Sequence, residues 1–87
     1  MKSKCTRRFW KLHDALPDHV QKLARRSYEL WQGDHRHPSL DFKKLKGGAR
    51  NRFSIRIGDH HRAIGHFLGD VVEWVWVGTH EDYSKLV

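Results

Sequence analysis

The sequence predicts an α+β domain: two N-terminal helices packed on a four-stranded antiparallel sheet, with a short C-terminal helix. Three observations carry this reading. Val20, Leu23, Ala24, Ser27, Tyr28 and Trp31 fall at the spacing of one helical stripe. Phe53, Ile55 and Ile57 alternate with Arg52, Ser54 and Arg56, the period of a half-buried strand. The run Val71-Val72-Glu73-Trp74-Val75-Trp76-Val77 follows a Gly69-Asp70 turn signal and reads as a buried strand.

In chain order, Phe9, Trp10, Leu12, His13 and Leu16 recur at helical spacing and give a first short helix over residues 6–16. Pro17 stops it or opens the next one. The second helix begins at Asp18, with Lys22, Arg25, Arg26 and Glu29 opposite the apolar stripe and Gly33 as its C-cap. A polar loop, residues 34–39, leads to a first strand around Leu40, Phe42 and Leu45, which Gly47-Gly48 breaks. Gly58-Asp59 turns the 52–57 strand into a third one over residues 62–68. Turns this short permit only antiparallel neighbours, because a parallel pair needs a long crossover. The helices must then cover one sheet face. Trp74 and Trp76, two residues apart, are expected to share the face beneath the helices, and Trp31 belongs to the helix stripe. The other sheet face is left for basic residues.

Eighty-seven residues make a single domain spanning residues 1–87. Seventeen Lys and Arg against ten Asp and Glu give a formal charge of +7, which calls for a polyanionic or acidic partner. The single Cys5 forms no internal disulfide and fits a reducing cytoplasm. No stretch is apolar enough for a membrane span, and the first residues lack a signal-peptide core, so the expectation is a cytoplasmic protein with no membrane partner. His35-x-His37 and His60-His61 are the close histidine pairs. Without a CxxC or a helical His pair with Glu, neither suggests a metal, and no cofactor is expected.

The arrangement Leu16-Pro17-(x)2-Val20-Gln21, His37-Pro38-Ser39-Leu40-(x)2-Lys43-(x)-Leu45, Phe53-Ser54-Ile55-Arg56-Ile57-Gly58, Arg62-Ala63-Ile64 and Trp76-Val77-Gly78-(x)-His80-(x)2-Tyr83 resembles the RelE/ParE superfamily. These are toxins of type II toxin–antitoxin systems. The resemblance runs from about Phe9 onward and implies the same helices-on-sheet fold. It also implies one of two activities: cleavage of mRNA, usually on the ribosome, or inhibition of DNA gyrase by a non-catalytic toxin. In the cleaving branch the matching positions are Arg56, Arg62, His80 and Tyr83. Lys43, Lys44 and Lys46, with Arg52, match a basic region that contacts RNA. Ser54 stands where some members carry a Lys, and no Glu base of the kind found near the start of the sheet in others is present. The implied partners are mRNA, the ribosome and a cognate antitoxin, in a toxin–antitoxin hetero-oligomer.

Those residue types suit metal-independent RNA cleavage. The 2′-OH attacks the adjacent phosphorus in line and expels the 5′ oxygen. The protein supplies alignment, proton transfer and cations for the phosphorane. Arg56 and Arg62 suit the phosphate because a guanidinium stays charged and contacts two oxygens. His80 suits proton transfer near neutral pH. Tyr83, one helical turn on, is placed to stack on a base or bond the 2′-OH.

Overall fold

The computed structural model describes residues 2–46 and 51–87, so the expected Gly47-Gly48 break lies outside the described residues. The described residues form three α-helices and a five-stranded mixed sheet in the order β1-β5-β4-β3-β2. The strands are β1 (Lys2–Cys5), β2 (Lys43–Lys44), β3 (Arg52–Ile57), β4 (His61–Leu68) and β5 (Val71–Thr79). The helices are α1 (Arg7–Asp14), α2 (Asp18–Gly33) and α3 (His80–Leu86). The architecture is the α+β one expected, with a fifth strand added. Among the described residues no helix is long and apolar enough to cross a membrane.

Each helix begins where local chemistry supplies acceptors for its free N–H groups. The Thr6 hydroxyl accepts from the Phe9 N–H at 3.1 Å and starts α1. Pro17 precedes α2, and its carbonyl accepts from the Val20 N–H at 2.9 Å and the Gln21 N–H at 3.0 Å. The Gln21 amide donates back to the Leu16 carbonyl at 3.0 Å and ties the two helices together. Gly33 is the last helical residue and Asp34 is the C-cap, one position later than the sequence suggests. Thr79 caps α3 by accepting from the Asp82 N–H at 3.1 Å.

Two parts of the sheet depart from the sequence reading. β1 pairs parallel with β5, Lys2 opposite Val71 through Cys5 opposite Trp74. Its Lys-Ser-Lys-Cys sequence has no apolar run, so neither length nor hydrophobicity announces a strand. The expected first strand is reduced to Lys43–Lys44. Leu40 instead ends a 3-10 turn, Pro38–Leu40, that His37 caps by accepting from the Ser39 N–H. Asp41 then takes a left-handed conformation at φ 44, which no strand residue adopts.

The main core lies between the helices and the sheet. Trp31 is fully buried, stacked on Phe53 at 5.0 Å and edge-on to Trp74 at 5.5 Å. A second, smaller core forms on the opposite face from Ile64, Trp76 and Tyr83. A β-bulge connects the two. The β4–β5 register passes from Ile64 opposite Trp76 to Gly65 opposite Trp74, leaving Val75 as an extra residue. Trp74 therefore enters the helix-side core and Trp76 the other one, correcting the expectation that they share a face. Gly65 makes room for this change: a Cβ there would lie 2.9 Å from Trp74 and 3.0 Å from Phe53.

Gly65→Ala should therefore overpack the main core. We expect a loss of roughly 1–3 kcal/mol and a melting temperature lower by about 4–8 °C per kcal/mol for a domain of this size, read by circular dichroism. An unchanged melting temperature would mean that the aromatic rings repack freely.

Candidate functional site

β3 and β4 place Arg56 and Arg62 directly opposite one another. Residues facing each other across an antiparallel pair share a face, and this is the face on which α3 packs. Their surroundings differ. Arg56 is exposed, whereas Arg62 is 2% exposed. The Arg62 guanidinium makes four hydrogen bonds: Nε and Nη2 donate to the Ser54 hydroxyl at 3.2 and 2.9 Å, Nη1 to the Asp41 carboxylate at 3.1 Å, and Nη2 to the Asp41 carbonyl at 2.7 Å. Burying a charge this completely requires such partners. The left-handed turn at Asp41 is what presents both its carbonyl and its side chain to the guanidinium.

Tyr83 closes the network. Its ring is 5% exposed and lies 5.1 Å from the Arg62 Cζ, and its hydroxyl is 2.8 Å from the Ser54 hydroxyl. The three-residue step from His80 brings the two rings to 5.8 Å. His80 itself is exposed at the first turn of α3, and its backbone N–H donates to the His60 carbonyl at 2.7 Å. All four expected residues thus gather near the end of the sheet marked by the Gly58-Asp59 turn. Arg56 and His80 face solvent, while Arg62 and Tyr83 lie beneath them. With most of its donors engaged, Arg62 is turned inward in this arrangement, and Arg56 is the exposed cation of the pair. The sheet face opposite the main helices is thus half covered by α3 rather than open.

The expected RNA-contacting cations divide between the two faces. Lys43 stands opposite Ser54 and Lys44 opposite Phe53, so Lys43 joins the Arg56 face and Lys44 the other. Lys43, Lys44 and Lys46 are exposed, and the Lys43 ammonium lies 3.8 Å from the Asp41 carboxylate. Arg52 is half-buried, and its Nε has no hydrogen-bond partner among the described residues. Asp41 and Ser54 belong to the network although the sequence reading assigned neither a role there. Ser54 carried a signal, a small polar residue in phase with Arg52 and Arg56; Asp41 carried none. Among the described residues no group of three or more His, Cys, Asp and Glu is placed to hold a metal.

Histidines collect near this end of the molecule. Burial lowers the His61 pKa below the ordinary histidine value, and the neighbouring His60 and His19 lower it further. The unfolded chain then takes up a proton at higher pH than the folded one. Stability contributed by neutral His61 is therefore lost as pH falls through the ordinary histidine range toward the lower folded value.

Two outcomes follow. Ser54→Ala leaves Tyr83 and Arg62 short of a buried partner and should cost about 1–3 kcal/mol in urea unfolding. Combined with Tyr83→Phe, it should cost clearly less than the two single losses added, because both break one bond; strict additivity would show that the bond contributes nothing. Between about pH 7.5 and pH 5, the wild-type urea midpoint should fall, and His61→Gln should lessen the fall. An equal slope in both proteins would exclude His61 as a source.

A family model described as a ParE-like toxin domain matches residues 18–85. No curated protein matches the chain. Among solved structures, the toxin–antitoxin complex RelB-RelE from Methanococcus jannaschii aligns with a TM-score of 0.74 and 24% identity, covering 94% of this chain and 95% of the other. The YoeB/ParE toxin from Agrobacterium tumefaciens aligns with a TM-score of 0.74 and 17% identity, covering 92% and 99%. YafQ from Escherichia coli aligns with a TM-score of 0.77 at 8% identity, covering 94% and 96%. At these identities the likeness is one of fold.

Proposed function

This chain belongs to the ParE-like toxin family, and we propose that it is the toxin of a type II toxin–antitoxin pair, acting as a metal-independent endoribonuclease on ribosome-associated mRNA. One observation carries the reading. The Arg62 guanidinium, the Tyr83 ring and the His80 ring follow one another at 5.1 and 5.8 Å, with the exposed Arg56 directly across the strand from Arg62. An exposed cation, Arg56, and an exposed proton carrier, His80, are thereby offered to one stretch of RNA, with the Tyr83 ring and Arg62 as their buried support.

In this mechanism the 2′-OH is the nucleophile. It gives up its proton to solvent water as it attacks the scissile phosphorus in line; negative charge builds on the phosphorane oxygens, and Arg56 meets that charge from solvent. His80 serves as the proton carrier that protonates the departing 5′ oxygen, leaving a cyclic phosphate on one fragment. Arg62 and Tyr83 support the site from below: they orient α3, and with it His80. Lys43, Lys44, Lys46 and Arg52 contribute sequence-independent attraction for the RNA backbone. The cognate antitoxin is the second partner. A +7 surface suits an acidic segment that folds on binding, and the RelB-RelE structure is an antitoxin–toxin complex of the same fold.

A gyrase-inhibiting, non-catalytic toxin is the second reading. It is favoured by the engagement of Arg62 with Asp41 and Ser54 and of the Tyr83 hydroxyl with Ser54, which leaves fewer free groups for chemistry.

Purified protein added to translating ribosomes separates the two. Cleaved mRNA is expected, and His80→Ala and Arg56→Ala should each slow cleavage, His80→Ala by about 10²–10⁴-fold. Both variants should keep the wild-type melting profile, since both side chains are exposed. Cleavage at the wild-type rate in both would overturn the assignment of these residues. Arrest of DNA supercoiling by gyrase without any RNA cleavage would establish the second reading instead.

A further inference from the structure

A cleft of about 320 Å³ lies where β2, β3 and β4 meet the loop that follows α2, outside the Arg56–His80 surface. Among the described residues it is lined by three rings, Phe42, Phe53 and Phe67, and three cations, Arg36, Lys44 and Arg52. No carboxylate is among these lining residues. We propose that this cleft is a single-stranded nucleotide subsite, in which one unstacked base extends the stack built by Phe53, Phe42 and Arg36 while Lys44 and Arg52 hold its phosphate. The inference rests on the RNA reading above for the identity of the polymer.

The stacking surface is already assembled. Phe42 lies parallel to Phe53 at 5.2 Å and to Trp31 at 6.2 Å, so the core fixes the plane of its ring. The Arg36 guanidinium sits 4.2 Å above that ring. A planar cation on a fixed ring presents a further flat face, and single-stranded nucleic acids stack their bases on aromatic and guanidinium planes alike. The volume is at the lower end for small-ligand clefts and suits one planar heterocycle.

The polar groups match a phosphate. The Arg52 Nε is buried with no partner among the described residues, which is costly unless something accepts from it. Lys44 is exposed beside it as a point charge. Asn51, also in the lining, carries an amide that both donates and accepts, as a base edge requires. Arg52 and Arg56 occupy one face of β3 four positions apart, about 13 Å at ~3.3 Å per residue. The rings of the cleft lie on the other face of the sheet, so a strand of RNA that contacts both the cleft and the Arg56 surface passes around the end of β3 at Arg52. The subsite would bind a nucleotide flanking the cleaved bond and give the protein a base preference there.

The test reads binding, so its failure is separate from a failure to cleave. Two fluorescein-labelled, 2′-O-methylated hexanucleotides resist cleavage, one of uridines and one an abasic backbone of equal charge, and fluorescence anisotropy measures each. Wild type should bind the uridine form about tenfold more tightly, the effect of roughly one stacked base. Arg36→Ala and Phe42→Leu should bring that ratio toward one, whereas Lys11→Ala on α1 should leave it unchanged. Lys44→Ala should weaken both forms alike and reduce the salt slope by about one. If Phe42→Leu fails to fold, the exposed Arg36 decides alone. Equal affinity of wild type for both forms would overturn the proposal, as would an unchanged ratio in Arg36→Ala. So would Arg36-dependent binding of an acidic peptide by a protein that ignores the RNA. Retention of the ratio by a protein that never cleaves mRNA would support the subsite and refute only the nuclease reading.

Discussion

A guanidinium sealed from water must be solvated by the protein, and the placement of Arg62 organises this end of the molecule. Its partners come from separate parts of the chain: Asp41 after the 3-10 turn, Ser54 on β3 and Tyr83 on α3. None of these segments is near another in sequence. Removing any partner leaves a buried charge or donor exposed to apolar surroundings, which costs more than the bond itself contributed. The network thereby holds the C-terminal helix against the sheet at a defined position. His80, at the first turn of that helix, takes its place from this network together with its own backbone bond to the His60 carbonyl.

The sheet can carry this network because it has a core on each face. The bulge at Val75 turns Trp74 toward the helices and Trp76 toward α3, so one strand feeds both. Packing is tight enough to demand glycine nearby: a Cβ on Gly78 would lie 2.7 Å from the Trp76 ring, as one on Gly65 would press on Trp74. The second core is small and covers only part of its face. Arg62 falls under the covered part, and its cross-strand neighbour Arg56 falls just outside. This boundary separates a buried cation held by the protein from an exposed one.

That division bears on both functional readings. In the nuclease reading the chemistry is done by groups at the surface, Arg56 and His80, on a foundation of buried polar contacts. In the gyrase reading the same surface recognises a protein and the buried contacts only maintain shape. The cleft lined by Phe42 and Arg36 adds a second cationic area on the same strand, β3. Spread over two areas, the positive charge suits a ligand that is itself extended and charged along its length.

Much of this protein was determined by its residues in order. Helical spacing from Val20 to Trp31, alternation through Phe53, Ile55 and Ile57, and the glycine turns at Gly58 and Gly69 are local patterns, and each appears as an element at the expected place. The resemblance that includes the Gly78-(x)-His80-(x)2-Tyr83 segment also pointed to the right family. Tertiary structure decided the rest. The strand at Lys2–Cys5 exists because β5 offers it an edge, not because its own residues favour one. Trp74 and Trp76 part company because a bulge, which two-residue alternation cannot express, resets the phase between them. Asp41 and Ser54 joined Arg62 only when the chain folded back on itself. Periodicity records which side of an element is apolar. It carries no information about which distant polar group will be needed to satisfy a buried charge, and that requirement is settled in three dimensions.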